Sequence, residues 1–367
     1  MKIGIIGAGQ LGRMLALAGY PLGLRFMFVD RSSDAPGGQV GEIIEGAFDD
    51  PEALGQLADK CDVVTFDVEN VPESAVRTIA ERVRFLPPVE ALATGQDRLA
   101  EKRAFAALHI PTPRFMPVAT REALDIAVAQ LGLPSVLKIR RLGYDGRGQR
   151  FLRKPDDLDA AWEGLGGVPM ILEAFVPFDL EVSIIGVRRP SGEVRFYSLA
   201  ENVHEEGILA HTRAPFDDPA LQSEAERYIR RLMDHLDYAG VLTIEFFVHE
   251  GRLLANEMAP RVHNSGHWTI EGAVTSQFEN HIRAILDLPL GDTGCTGHSG
   301  MVNLLGGMPP LEKILAIPGA HLHRYGKDPR PRRKLAHCTV VSSSAEDRDI
   351  ALGRLLDLAG RHPEDGD

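Results

Sequence analysis

A chain of 367 residues is long enough for two or three domains of ordinary size. Its 44% hydrophobic and 25% charged residues are those of a soluble globular protein, and no run of about eighteen apolar residues is present to span a membrane. A formal charge of −12 argues against a broad nucleic-acid or anionic-membrane surface, while three scattered cysteines, Cys61, Cys295 and Cys338, argue against a disulfide framework and fit a reducing, cytoplasmic setting.

The chain starts directly in a strand-like run, residues 2–6, with no basic stretch and apolar core of a secretion signal ahead of it. Residues 1 to about 95 predict a βαβ series: strands over 2–6, 24–29, 62–66 and 83–86, a helix running through Leu17 and another from Glu73. Strands alternating with helices imply a parallel sheet with ligands at its carboxyl ends. The first turn, Gly7-Ala8-Gly9-Gln10-Leu11-Gly12, has the spacing of a dinucleotide fingerprint, with Asp30 about twenty residues on. The same loop serves any phosphate, or simply packs a helix closely on a strand, so NAD binding is one alternative among these.

A helix over 95–108 carries Arg98, Glu101, Lys102 and Arg103, and Pro111 and Pro113 then mark a domain boundary. A smaller α/β unit is expected next, with helices over 121–131 and 155–165 and strands over 135–138, 149–152 and 169–172. Between its first two strands, residues 138–149 pack one Lys, three Arg, three Gly and one Asp into twelve positions. Glycines let backbone approach a ligand, and exposed N–H groups beside basic side chains suit a polyphosphate. A flexible lid over a polyphosphate and a basic surface hairpin are the two readings this stretch allows by itself.

Residues 178 to about 290 predict a mostly antiparallel sheet, with strands over 181–187, 194–200, 241–248 and 252–257 and helices over 219–236 and 270–286. Strands over 300–304, 321–324 and 335–342 and helices over 311–315 and 345–358 follow. The polar tail from His362 is expected to be disordered.

Glu245 and Glu257 each sit in an apolar strand. A three-residue loop, His249-Glu250-Gly251, would pair Val248 with Arg252 and Glu245 with Ala255, setting Glu257 opposite Thr243. Both carboxylates then share a face, whereas a two-residue loop would part them. Neighbouring carboxylates repel unless a cation lies between them. Mg²⁺ suits such a pair because it keeps waters and takes substrate phosphates as its other ligands, and Asn256 offers a neutral oxygen. Two solvated surface carboxylates are the alternative.

The polar loop that follows contains His263 and His267 at i, i+4. No HExxH glutamate lies between them and Gly266 opposes a helix, so a grip on an anion or small oxyanion is expected in preference to zinc. Further on, five cations fall within residues 327–334, a density that suits one phosphate.

Taken together these segments resemble the ATP-grasp superfamily, and within it the 5-(carboxyamino)imidazole ribonucleotide synthetase family of purine biosynthesis. The resemblance covers nearly the whole chain in order. It rests on the glycine motif through Arg13-Met14, Glu69-Asn70-Val71-Pro72, Asp97-Arg98 with Glu101-Lys102, and Gly143-Tyr144-Asp145-Gly146-Arg147-Gly148-Gln149. It continues with Asn256-Glu257 and Ala259-Pro260-Arg261, His263-Asn264-Ser265-Gly266-His267-Trp268, Asn303-Leu304 and the basic cluster from Tyr325 to Lys334.

The resemblance implies an α/β ATP-grasp fold in three parts: a Rossmann-like parallel sheet domain over 1–110, a small lid domain over 111–176 and a larger α+β domain over 177–367. It implies that ATP, bicarbonate and 5-aminoimidazole ribonucleotide give the N-carboxylated ribonucleotide, ADP and phosphate through carboxyphosphate, with that intermediate or CO₂ released from it carboxylating the exocyclic amine. Arg98 and Lys138 would then bind ATP phosphates, with Gly143, Gly146, Gly148 and Gln149 closing over them. Glu173, Ala174, Phe175 and Val176 would form the adenine hinge, Glu181 would take the ribose, and His204 and Asn256 would lie in the nucleotide site. Glu245 and Glu257 would hold Mg²⁺. Arg261, His263 and Asn264 would position bicarbonate or carboxyphosphate. Gln10, Leu11, Glu69, Asn70, Tyr144, Asp145, Arg147, Lys327, Arg333 and Lys334 would meet the ribonucleotide and its phosphate. A cytoplasmic homodimer is implied by analogy, without nucleic-acid or membrane partners.

The chain departs from the family pattern at Leu142, Arg332 and Ala336, where glycines are usual, and at Asp67-Val68, where an aromatic-rich segment is common. Rival readings are a sibling ligase of the formate-dependent glycinamide ribonucleotide transformylase type and an NAD-dependent dehydrogenase.

Overall fold

The computed structural model describes residues 1–143 and 148–360. Near-continuous apolar runs, which favour strands covered on both faces, open the chain and build its first sheet. Five strands, β1 (Lys2–Ile6), β2 (Arg25–Asp30), β3 (Glu42–Glu45), β4 (Val63–Phe66) and β5 (Arg84–Phe85), pair in parallel in the order β3-β2-β1-β4-β5. This is the parallel sheet expected of the βαβ pattern, with two additions. The edge strand β3 escapes the apolar signal because it has only two apolar residues, Ile43 and Ile44, between two glutamates. The helix Pro51–Lys60 was also not anticipated, although Asp50 caps it by accepting from the N–H groups of Glu52 and Ala53.

The expected helix over 95–108 is two helices, Val89–Gly95 and Arg98–Ala107. Asp97 divides them: it is extended, and its side chain accepts from the Leu99 N–H at 3.0 Å as an N-cap. That cap aims the second helix, with Arg98, Glu101 and Lys102, at the rest of the molecule.

The second sheet has four antiparallel strands, β6 (Phe115–Val118), β7 (Ser135–Ile139), β8 (Gln149–Leu152) and β9 (Met170–Ala174), ordered β6-β9-β7-β8. The helices Arg121–Leu131 and Asp157–Gly164 cover it, and Leu124, Leu137, Leu152, Leu158 and Leu172 form a core of its own. A unit with a separate core moves as a body.

The third sheet has nine strands: β10 (Leu180–Arg188), β11 (Val194–Phe196), β12 (Ala200–Glu205), β13 (Ile208–Ala214), β14 (Gly240–His249), β15 (Arg252–Ala259), β16 (His298–Leu305), β17 (Ala320–Arg324) and β18 (Lys334–Ser342). Its main path runs β15-β14-β10-β12-β13-β16-β18-β17, and β11 pairs with β10. The run over 194–200 is thus a short strand and the start of another, not one strand. The hairpin β12–β13 was not anticipated; Glu206 and Gly207 turn it at φ +48° and +76°. The expected helix over 270–286 divides into Thr269–Gly272 and Gln277–Ile285, where Ser276 caps the second piece by accepting from the Glu279 N–H.

One apolar cluster joins Ile3, Ile5, Leu15 and Phe28 of the first sheet layer to Ile185, Val241, Trp268 and Ile282 of the third. The first and third sheets therefore share a core, and the four-stranded unit stands beside them. Among the described residues no helix is long and apolar enough to cross a membrane. The tail from His362 lies outside the described residues.

Candidate active site

A cleft of about 700 Å³ opens where the three sheets meet. Its most costly feature is a pair of carboxylates. Glu245 on β14 and Glu257 on β15 are direct cross-strand partners. The hairpin between them is not the expected three-residue loop. His249 pairs with Arg252, so the turn is the two residues Glu250 and Gly251, both left-handed at φ +50° and +69°. Such a turn by itself would send the two carboxylates to opposite faces. A β-bulge corrects this: Phe246 pairs with Ala255, and the next pair is Glu245 with Glu257, so Asn256 is the extra residue.

The bulge is gripped from behind. Lys102 is fully buried, and its Nζ donates to the carbonyls of Ala255 at 3.0 Å and Asn256 at 2.7 Å. It also donates to Thr112 Oγ1 at 3.0 Å and lies 3.6 Å from Glu173. Next to it, Glu101 accepts from the Met258 N–H at 2.6 Å. Burial, reinforced by Glu257, pushes the Glu101 carboxyl up to about 8. Arg98 donates to Glu257 Oε2 at 3.1 Å. Lys138 donates to the buried Glu173 at 3.0 Å, and although burial works against it, Lys102 and Lys138 bring the Glu173 carboxyl down to about 2. Lys138 therefore reaches the cleft wall already paired, and the side chain of Glu173 is turned to two lysines.

Across the carboxylate pair, burial together with Glu257 and Glu181 raises the Glu245 carboxyl to about 7. Glu245 Oε1 and Asn256 Oδ1 are buried without a hydrogen-bond partner. Two such oxygens beside a second carboxylate fit a hard divalent cation. Among the described residues no group of three or more His, Cys, Asp or Glu could hold a metal ion, so the donor set here is the two carboxylates and the Asn256 oxygen. Glu181 and His204 meet nearby at 3.1 Å; burial opposes the change, but Glu181 and Glu245 hold the imidazole up at about 9.

The polar loop divides by role. His263 and Asn264 line the cleft, whereas Ser265, Gly266 and His267 are buried behind it. His267 packs against His337 with ring centroids 4.7 Å apart and the rings tilted by 43°. His263 Nδ1 accepts from the Ser265 N–H at 3.3 Å. A buried chain ends on the same atom: Asn202 Nδ2 donates to Ser183 Oγ, Ser183 donates to Ser265 Oγ at 2.8 Å, and Ser265 Oγ lies 2.9 Å from His263 Nδ1. An N–H has to donate, so Nδ1 carries no proton and the neutral ring holds its proton on Nε2. Burial, then Arg261 and Lys334, keep the imidazole well below its usual range and therefore neutral. Arg261 Nε lies 3.1 Å from Glu69 Oε1 at the other wall.

The first glycine turn is already occupied by an anion from the chain itself. Gly12 donates its N–H to Asp67 Oδ2 at 2.9 Å, and a Cβ on Gly7, Gly9 or Gly12 would run into the Asp67 carboxylate. Gly7 also sits at φ +93°. Asp30 takes the Ala8 N–H at 2.8 Å rather than standing free for a ribose. The dinucleotide spacing thus folds around Asp67, and only the far side of the turn, Gln10 and Leu11, reaches the cleft, as do Glu69 and Asn70.

Of the basic cluster, Lys334 lines the cleft. Lys327 donates to Gln10 Oε1, and burial followed by Arg333 lowers its amine to about 8. Arg333 donates to the Asp328 carbonyl at 3.2 Å, and Arg332 pairs with Glu206 at the tip of the β12–β13 hairpin. Lys327 and Arg333 stand behind the wall that Gln10 and Lys334 form.

The hinge residues Ala174, Phe175 and Val176 line the opposite end. The N–H groups of Ala174 and Phe175 are used by the carbonyls of Arg114 and Pro134. Aromatic rings flank the hinge: Phe151 meets Phe175 edge-on at 5.1 Å, and Phe178 stacks on Phe247 at 4.7 Å. In the lid, Gly143 and Gln149 line the cleft and Gly148 sits at φ +76° just behind. Tyr144, Asp145, Gly146 and Arg147 lie outside the described residues. The sequence marks Asp67 only as a departure from the family pattern and does not single out Phe178 or Phe247, for which the apolar Phe246-Phe247 run beside Glu245 is the one available signal.

With the geometry established, three family descriptions match the chain: the ribonucleotide synthetase preATP-grasp domain over residues 1–96, the ATP-grasp domain over 103–278 and the phosphoribosylaminoimidazole carboxylase C-terminal domain over 299–350. The chain is 52% identical over 340 residues to the N5-carboxyaminoimidazole ribonucleotide synthase of Pseudomonas aeruginosa, covering 93% of this chain and 94% of the relative. It superposes on the crystal structure of N5-carboxyaminoimidazole ribonucleotide synthetase from Thermus thermophilus with a TM-score of 0.95 at 52% identity, covering 98% and 99% of the two chains. The Aspergillus clavatus enzyme, solved with ADP and 5-aminoimidazole ribonucleotide, gives a TM-score of 0.92 at 33% identity, with 98% of each chain covered.

Proposed function

The chain belongs to the N5-carboxyaminoimidazole ribonucleotide synthase family of ATP-grasp enzymes, and from that premise we propose that its cleft carboxylates 5-aminoimidazole ribonucleotide at the expense of ATP and bicarbonate. The observation that carries the reading is the meeting, in one cleft, of the Glu245–Glu257 pair, the neutral His263 and Lys334 of the basic cluster. The chemistry has two steps. A bicarbonate oxygen attacks the γ-phosphorus of ATP, the bond to the β–γ bridging oxygen breaks, and ADP leaves. The amine nitrogen then attacks the carboxyl carbon of carboxyphosphate; the C–O bond breaks, and the amine's proton ends on the departing phosphate.

Adenine lies against the hinge of residues 174–176 between Phe175 and Phe178, with Glu181 and His204 toward the ribose. Arg98 and Lys138, with the lid glycines, face the phosphates. Glu245, Glu257 and the Asn256 carboxamide would hold Mg²⁺, which would supply neutralising charge for the phosphoryl oxygens. His263 through Nε2–H, Asn264 and Arg261 orient the bicarbonate oxygens. Gln10, Leu11, Glu69, Asn70 and Lys334 contact the ribonucleotide, with Lys327 and Arg333 supplying charge for its phosphate; Tyr144, Asp145 and Arg147, outside the described residues, are assigned to the same substrate on the family resemblance alone. We read the chain as three parts divided at 110 and 176; the end of the first sheet at Phe85, the span of the second from Phe115 to Ala174 and the start of the third at Leu180 support that reading. We further read the enzyme as a cytoplasmic homodimer.

The test is ADP formation with aminoimidazole ribonucleotide, with and without bicarbonate. Turnover should require both. Turnover with glycinamide ribonucleotide and formate in their place would reassign the enzyme to the sibling ligase, and no ADP formation in either mixture would reject the ligase reading.

A further inference from the structure

Asn303 has no part in the chemistry above, yet it is fully buried on β16 and faces the turn at Asn264. Its Nδ2 donates to the Leu209 carbonyl at 2.9 Å and to Asn264 Oδ1 at 2.9 Å. Its Oδ1 accepts from Asn264 Nδ2 at 3.1 Å. A carbonyl only accepts, so Leu209 leaves the Asn303 carboxamide one orientation. That orientation dictates the one opposite. Reversed, Asn264 would set oxygen against oxygen and amide against amide, in a place where neither repulsion is screened by water.

An asparagine in a binding site is ambiguous, because it presents either a donor or an acceptor. Here the ambiguity is removed. Asn264 Oδ1 is turned inward to Asn303, one Nδ2 hydrogen is spent on Asn303 Oδ1, and the second Nδ2 hydrogen is left for the cleft that Asn264 lines. The adjacent His263 is committed in the same sense by Ser265, whose N–H donates to Nδ1 and leaves the ring proton on Nε2. We propose that Asn303 is a positioning residue that commits Asn264 to donate, so that the turn meets a small oxyanion with preset N–H groups instead of a rotatable amide. Donors fixed in advance are effective because no reorganisation is needed as charge develops. The inference rests on the reading of this turn as the place of bicarbonate and carboxyphosphate.

The experiment measures kcat/KM for bicarbonate and KM for ATP in the full chain carrying Asn303→Leu, Asn264→Ala, both together, or Asn264→Asp. Asn303→Leu should lower kcat/KM for bicarbonate by about 100-fold, the scale of one lost oxyanion donor, and leave KM for ATP in place. In the Asn264→Ala background it should add nothing further. Asn264→Asp, which has no donor, should fall below Asn264→Ala; this arm does not depend on Asn303→Leu folding. Additive losses in the double variant, a parallel rise in KM for ATP, or activity retained by Asn264→Asp each overturn the proposal. A wild-type enzyme without bicarbonate dependence overturns the underlying reading as well, whereas wild-type dependence with unaffected variants overturns this inference alone.

Discussion

Asp67 shows how far a single residue can redirect a sequence pattern. The turn from Gly7 to Gly12 was legible as a loop shaped for an anion, but the anion is a carboxylate fifty-five positions away, held by the Gly12 N–H and packed by three glycines. Spacing within a loop does not report what will fold onto it. Burial, then Asp30 acting against the backbone donors, raises the Asp67 carboxyl from 3.8 to about 6. A raised folded-state pKa means that the ionised group is the costly one in the native state. Its contribution is therefore complete below about pH 4 and is lost as pH rises through about 6, a change on the order of 3 kcal/mol. Asp67→Asn keeps an acceptor for Gly12 and removes the titration. Denaturant unfolding of both proteins at pH 4 and pH 7 should show the wild type losing that amount relative to the variant; parallel curves would remove the assignment. Two further residues explain departures from the family pattern. Leu142 and Arg332 stand where glycine is usual, and both adopt the left-handed backbone, at φ +65° and +63°. The backbone has kept the glycine conformation after losing the glycine, at roughly 1 kcal/mol each.

At the level of elements, the β14–β15 hairpin yielded the right conclusion through the wrong geometry. Alternation correctly predicted that Glu245 and Glu257 share a face, but the expected loop length was one residue too long, and a bulge at Asn256 makes up the difference. Bulges carry no period of their own, so a reading built on alternation cannot locate them. What holds this one is visible only in three dimensions: two carbonyls at the bulge turned to the buried Lys102 ammonium. Deleting Asn256 should therefore leave a regular ladder in which Glu257 still faces Glu245, while the carboxamide oxygen and one of the two carbonyls on Lys102 are lost. The Mg²⁺-dependent rise in melting temperature that ATP gives the wild type should then persist but need more Mg²⁺, whereas Glu257→Gln should abolish both that rise and ADP formation. A Glu257→Gln variant that turns over normally would sink the pairing of these carboxylates as a metal site. The hairpin β12–β13 was missed for a related reason. Its strands mix polar and apolar residues because one end, with His204, faces the cleft, and only the Glu206-Gly207 turn marked it.

Across the molecule, each sheet was legible from periodicity and alternation, because each is built from local runs of sequence. The junction between them was not, because it is made by charges that looked like an ordinary amphipathic helix surface. The helix Arg98–Ala107 is that junction. Asp97 at its start binds Arg140 of the segment after β7, with Nε at 2.9 Å from Oδ1. Arg98 reaches Glu257 on the third sheet. Lys102 touches Glu173 on the second sheet and the bulge on the third from one fully buried ammonium. Burial pulls the Lys102 amine down while Glu173 pulls it up, and four acceptors surround it. Lys102→Met keeps the packing volume and removes the charge. Glu173 then keeps Lys138 as its lysine partner, and two carbonyls lose a donor inside the protein. Thr112 Oγ1 still donates to the Ala255 carbonyl at 2.7 Å, so the Asn256 carbonyl is the one stripped of its donor, at a cost of about 1–3 kcal/mol. Urea unfolding should register that loss, and ADP formation should fall with it, since the bulge that aims Glu257 loses its grip. A variant as stable as wild type would mean that the shared core of the first and third sheets, rather than this ammonium, fixes the cleft walls in place.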